Sequence, residues 1–310
     1  MVRIAEINNP IEKFVAFIAE REAIRIRRFV MRKEWPWTDD PILQQYRFTN
    51  VHREDDAVSK HYQKTVRDRY GDSSVVLPAT IIYRWFNRPW TVLLDGSLVN
   101  STCQVLFDKP MVHDRSVFDL YINTGNITIL QSHIIQLEPP YVTGAYLIPS
   151  MPGYSKAEGV LKYIDLWMVR DWHRQWILWR KDPPLLSEMY EWLNGQGLGS
   201  FMRGQIIADL KYIKFMREVP DWWIWATPGP GSQRGLNIVL DRPMYQAWRK
   251  GEWLPALEEL SNIVTPMLKG FGMERLHNQD LQNCLCEFSK YTKVERGEGR
   301  PRQVFRNRAA

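Results

Sequence analysis

The sequence predicts a mainly α-helical fold with a few short strands in the middle of the chain. Three observations carry this. Long amphipathic stretches with recognisable helix-start residues open and close the chain. The interior stretch from Asp114 to Ser150 is rich in Ile, Val, Thr and Tyr with a turn at "NTGN", the composition of one or two short strands. Between helices lies "TPGPGSQRG", residues 227–235, with three glycines and two prolines in nine residues.

The elements follow in chain order. Pro10 opens a helix from about Ile11 to Arg32, and its second half, "REAIRIRRFVMRK", is strongly basic. Thr38 or Asp39 suits an N-cap, and Pro41 the first turn, of the next helix. On that helix Arg47, Asn50 and Glu54 share a face at i, i+3 and i+7, a polar stripe. Helices return from Leu185 onward. "SFMRGQIIADLKYIKFMREV" places Ile206, Leu210 and Ile213 on a core face, with Gln205, Asp209 and Tyr212 beside it. "ALEELSNIVTPMLKGFG" and "HNQDLQNCLCEFSKY" complete the helices. In the last one Leu281, Leu285 and Phe288 form a buried stripe, while Asp280, Asn283, Glu287 and Lys290 take the opposite side. The tail, 292–310, is basic and reads either as a solvated end or as a contact to DNA phosphates.

At 310 residues the chain is long enough for one sizeable domain. It is read as a single domain of two helical lobes around a cleft, about 1–110 with 250–310, and 150–250. A formal net charge of +6 favours an anionic partner. Fourteen tryptophans fill a core or stack on bases. Cys103, Cys284 and Cys286 make no disulfide framework, which suits a reducing compartment. Cys284 and Cys286 diverge by about 200° on a helix, so they form neither a disulfide nor a metal pair, and Cys284 leans toward the apolar stripe. His52, His61, His113, His133, His173 and His277 show no zinc-type spacing, and no Gly-x-Ser-x-Gly elbow occurs. The N-terminus is too polar for a signal peptide and no apolar run approaches the ~20 residues of a membrane span. The expectation is a cytoplasmic protein.

Two features are candidates for chemistry. A nucleotide-binding loop would end in Gly-Lys-Ser/Thr, where this chain has Gln233-Arg234-Gly235. The glycine-rich stretch is therefore either a helix-hairpin-helix element or a tight structural turn. In the first case the amides around Gly229, Gly231, Ser232, Arg234 and Gly235 face a DNA phosphate. On the last helix, Asp280 and Glu287 with Lys290 either do acid–base work or hold a cation, or they form a salt-bridged surface.

Several segments together resemble one family. They are "PWTDDPILQQYRFTNVHRE", "GAYLI", "FMRGQIIADLKY", "DWW", "GPGSQRGLN", "LQNCLCEFSKY" and "GEGRPR", spread from about Glu20 to Arg302. The family is the α-glutamyl/putrescinyl thymine pyrophosphorylases, related to the helical domain of 5-hydroxymethyl-deoxyuridine DNA kinases. The resemblance implies a helix-hairpin-helix, DNA-glycosylase-like fold over 1–310, working in phage thymine hypermodification in the host cytoplasm. The implied partners are double-stranded DNA carrying pyrophosphorylated 5-hydroxymethyluracil and a free amino acid such as glycine or a polyamine such as putrescine. The amine displaces the pyrophosphate, directly or through a methylene intermediate, with or without a divalent cation such as magnesium.

On this reading the base flips out of the duplex and Trp222 or Trp223 stacks on it. Arg47 and Lys290, with Arg53 as a further candidate, neutralise the pyrophosphate, and Asn50 and Asn283 orient the base. Glu287 deprotonates the amine, with Asp280 or Glu54 as substitutes, and Gln205 and Asp209 join the same cleft. Two alternatives stay open: a glycosylase using Asp241, and a non-catalytic DNA-binding module.

Overall fold

The computed structural model describes residues 4–86, 121, 127–129, 151–168, 170–195, 197–301 and 303–305. The chain divides into a unit formed by both ends, 1–56 with 223–310, and a central unit, 57–222. The divisions fall at 56 and 222 rather than near 110 and 250, so the glycine-rich segment goes with the termini.

The terminal unit begins with α1, Pro10–Arg25. Asn9 caps it, its Oδ1 accepting from the amides of Ile11 and Glu12 at 3.0 and 3.1 Å. Beyond Arg25 the helix widens into a π-turn, Ile26–Val30, and Arg32 then takes a left-handed φ of 52° that stops it. Next comes α2, Pro41–Gln45. Its cap is Asp40 rather than Thr38 or Asp39, with Oδ1 accepting from Ile42 and Leu43.

α2 is one turn long, so the expected polar stripe is not a helix face. Tyr46 is extended and bridges to Val304. Arg47 and Asn50 lie in the non-helical stretch that follows, and Glu54 in a 3-10 turn, Arg53–Asp55. The local reason is side-chain competition for the backbone. Asn50 Nδ2 donates to the Asp55 carbonyl at 2.9 Å, and the Asn50 amide donates to Asp56 Oδ1 at 3.1 Å.

The central unit holds α3 Ala57–Tyr62, α4 Val76–Phe86, α5 Lys156–Met168, α6 Trp172–Lys181, α7 Leu186–Trp192 and α8 Ser200–Leu210. Every residue of α4 is buried. Trp167, Trp176, Trp179 and Trp192 meet edge to face, so these tryptophans serve a core. Both faces of α8 are buried. Asp209 pairs there with Arg84, whose Nη2 lies 2.6 Å from Oδ1 and whose Nε bonds Oδ2.

Most of 114–150, where strands are expected, lies outside the described residues. Tyr121 and 127–129 are helical, and Tyr121 and Ile129 are buried. Short apolar runs rich in β-branched residues serve a buried helix as well as a strand, and packing decides between them. No strand occurs among the described residues; the bridges at Tyr46–Val304 and Gly195–Leu198 are isolated.

The chain returns to the terminal unit with α9 Pro230–Val239, α10 Trp253–Lys269 and α11 Asn278–Glu295. Phe14, Phe17 and Ile18 of α1 share a core with Leu236, Leu257, Leu260, Leu281, Leu285 and Phe288. Cys284 is fully buried in that core. The expected basic tail is in part built in. Lys293 and Glu295 belong to α11, Lys13 pairs with Glu295 at 2.7 Å, and the Arg47 amide donates to the Gln303 carbonyl at 2.9 Å. Arg302 and 306–310 lie outside the described residues.

A candidate active site along the last helix

The glycine-rich stretch is helical. Gly229 is the N-cap of α9 and Pro230 its first residue, as the fixed φ of proline favours. Ser232 is buried, its Oγ accepting from the Gly229 amide and donating to the Gly229 carbonyl, both at 3.0 Å. Gly231 and Gly235 face α11. A Cβ on Gly231 would collide with the Cys286 side chain, and one on Gly235 with the Leu285 carbonyl. These glycines let two helix backbones approach, so Gly231 and Gly235 serve helix packing.

That close approach fixes α11, and α11 carries the polar groups. Asp280, Asn283, Glu287 and Lys290 fall on one side at i, i+3, i+7 and i+10. The expected solvent-facing alternative does not hold: Asp280 is 2% and Glu287 4% exposed. A buried carboxylate is costly unless it is bonded or paired, and both are.

Asp280 sits between two imidazoles. His277, the N-cap of α11, accepts the Asp280 amide at Nδ1, 3.1 Å, and so presents its protonated Nε2 to Asp280 Oδ2 at 3.2 Å. The Arg53 amide donates to Oδ1 at 3.0 Å. His52 Nδ1 lies 3.5 Å from Oδ2, with a third of its side chain exposed. Burial pushes the Asp280 carboxyl up, but His277, His52 and the Arg53 amide outweigh it and hold the group below its usual value. The hydrogen bond to Asp280 raises His52 above its ordinary 6.5 despite burial. This is an oriented histidine–carboxylate dyad with one ring nitrogen left for other work.

One to two turns along α11, Lys290 Nζ donates to Glu287 Oε1 at 2.6 Å. Burial pushes Lys290 down, yet Glu287 beside it holds its pKa above the usual value. The ammonium therefore stays charged, and its side chain is about half exposed, at 47%. Burial and the charge of Glu287 push the Cys286 thiol up, against the opposing charges of Lys290, Arg234 and Arg21. Arg21 reaches from α1, donating through Nη2 to the carbonyls of Thr49 and of Asn50, the latter at 3.1 Å. Asn283 Nδ2 donates to Thr49 Oγ1 at 3.1 Å.

Asn50, Glu54, Asp280, Asn283, Glu287 and Lys290 thus belong to one unit, most of them around α11. Arg47 does not join them: it is exposed beside the 303–305 segment, and its charge acts on Arg28. Gln205 and Asp209 belong to the central unit, where Asp209 is committed to Arg84. Asp241 is exposed at a left-handed φ of 51° just past α9. Sequence reading missed His52, His277 and Arg21. The first two are 225 residues apart and carry no spacing signal; "FTNVHRE" within a matched segment is the trace that His52 left.

Trp223 completes the surroundings. The residue is 43% exposed, with the Arg275 guanidinium 5.1 Å from its ring centroid and the His277 ring 6.5 Å away. The Asn278 amide donates to the Trp223 carbonyl at 2.9 Å, tying this aromatic to the start of α11.

A family model described as the 5-hmdU DNA kinase helical domain matches residues 8–300. The chain belongs to this family. A 5-hmdU DNA kinase of Bacillus phage SP10 is 24% identical over 310 residues, covering 88% of this chain and 43% of that protein. The chain thus spans under half the length of that relative. No solved structure matches the chain. The helical domain of these kinases is the relative that the resemblance places beside the thymine pyrophosphorylases. No described helix is long and apolar enough to cross a membrane.

Proposed function

We propose that this helical-domain protein is a DNA-modifying transferase of phage thymine hypermodification. It exchanges the pyrophosphate of 5-pyrophosphoryloxymethyl-deoxyuridine in DNA for an amine, from an amino acid or a polyamine. Support comes from the family, whose named relative is a 5-hmdU DNA kinase. The single observation that carries the chemistry is the His52–Asp280 dyad, with the charged Lys290 on the same helix.

In this reading the flipped base stacks on Trp223. The amine nitrogen attacks the exocyclic methylene carbon; the carbon–oxygen bond breaks and pyrophosphate leaves with the electron pair. His52 takes the proton from the attacking nitrogen, and Asp280 stabilises the imidazolium that results. Lys290 and Arg234 neutralise the leaving pyrophosphate, and a divalent cation such as magnesium would assist the same charge. Glu287 is reassigned: engaged with Lys290, it holds the ammonium in place instead of acting as base. A route through a methylene intermediate uses the same groups.

The test is incubation of the protein with pyrophosphorylated 5-hydroxymethyluracil DNA and a mixture of glycine, other amino acids and putrescine. Mass spectrometry of the nucleosides then reads a mass gain on the modified uridine. Released free base would instead assign a glycosylase, and unchanged DNA a binding module.

A further inference from the structure

The end of α1 and the segment after it carry apolar and basic groups together at the surface. Phe29, Val30, Met31 and Trp35 are 56%, 66%, 55% and 45% exposed. Arg28, Arg32, Lys33 and Arg47 form no ion pair with any described residue, whereas the neighbouring Arg25 and Arg27 are paired with Glu22 and Glu20. Arg28 is held in place by stacking, 4.6, 4.9 and 5.5 Å from the ring centroids of Phe29, Trp37 and Phe305. Burial and the charge of Arg47 both lower its pKa, so two like charges stand near each other. An anion between them would relieve that repulsion.

Beside these cations is a concave pocket of about 310 Å³ lined by Trp35, Pro41, Gln44, Gln45 and Phe305. It is held together by the Phe305 amide donating to the Gln45 carbonyl at 3.0 Å. Gln44 Nε2 is used by the Thr38 carbonyl at 2.7 Å, which leaves its oxygen and the whole Gln45 amide to the pocket. Two aromatic rings, amide donors and acceptors, and cations at the edge match a nucleobase with its phosphates: every base offers a π-face to stack and polar edge atoms to bond. A lipid surface would not use the amides.

We propose that this pocket holds one unpaired base of a DNA strand, a different nucleotide from the reacting one, with Arg28 and Arg47 on its flanking phosphates. The inference rests on the reading of the protein as a DNA-acting enzyme, not on the transfer reaction. The end of α1 also touches the turn that follows His52, where Arg25 pairs with Asp55 at 3.5 Å.

The experiment measures binding of a labelled, unmodified single strand of about ten nucleotides by anisotropy across a salt series. Trp35→Leu is expected to weaken binding about tenfold or more, as loss of a base stack does, and Arg47→Ser to weaken it through loss of a phosphate contact. Arg47→Ser should also reduce the salt slope by about 0.7, one phosphate on a single strand. Arg47 is exposed and its backbone bond survives the change, so this variant decides the matter even if Trp35→Leu folds poorly. Binding is read on an unmodified strand with no amine present, which keeps this result separate from the transferase reading. Wild-type affinity and slope in Arg47→Ser overturn the inference. So does binding of anionic phospholipid vesicles in place of the strand.

Discussion

At the scale of the residue, His52 and Asp280 carry the account. Because Asp280 raises the His52 pKa above 6.5, His52 is protonated, and unable to accept a proton, until the pH passes that raised value. Transfer should therefore rise with pH through a midpoint above 6.5. In Asp280→Asn the raising bond is lost while burial still lowers the ring, so the midpoint moves down, measured with the same amine to cancel that amine's own titration. An identical midpoint in both proteins would remove Asp280 from this role. His52→Asn keeps the size of the side chain and loses the base, with an expected drop in turnover of about 10²-fold or more. None of this was legible from spacing, since a dyad closed across more than 220 residues is made by tertiary packing. Cys284 was legible, because a 3.6-residue period puts it on the Leu281–Leu285 stripe.

Among the elements, the junction of α9 and α11 positions the site. Gly235→Ala forces its methyl against the Leu285 carbonyl, a backbone atom that cannot rotate away. It should lower the melting midpoint by several degrees, as overpacking of roughly 1–3 kcal/mol does. Gly229→Ala meets nothing nearer than Gln282 Nε2 at 3.8 Å, so it should leave the midpoint within a degree or two. Equal melting of the two variants would contradict the packing role. The glycine cluster itself was plain in the sequence, but its purpose was not: loop and helix–helix contact both call for absent side chains. The stretch 46–56 misled for another reason. Its polar residues keep a helical period while Asn50 bonds the local backbone, and that competition ends the helix at Gln45.

On the scale of the molecule, the candidate site belongs to the terminal unit and Asp209 to the central one. Asp209 looked catalytic from its polar face, yet it neutralises the buried Arg84 of the central unit. Asp209→Asn removes the negative charge that this buried guanidinium bonds and should destabilise the protein by roughly 3–5 kcal/mol, read from denaturant unfolding. A fully stable Asp209→Asn would undo this assignment. The mainly helical class was readable from Pro10 at the start of α1 and from the apolar periods of α10 and α11. The division at 56 and 222 was not, because no change of composition marks it.

The most direct test of the central claim is nucleoside mass spectrometry on pyrophosphorylated 5-hydroxymethyluracil DNA after incubation with an amine mixture, comparing wild type with His52→Asn. The account predicts an amine-sized mass gain with the wild type, and its loss to about one hundredth or less with His52→Asn. A gain of equal size in both proteins, or none with the wild type, would contradict it.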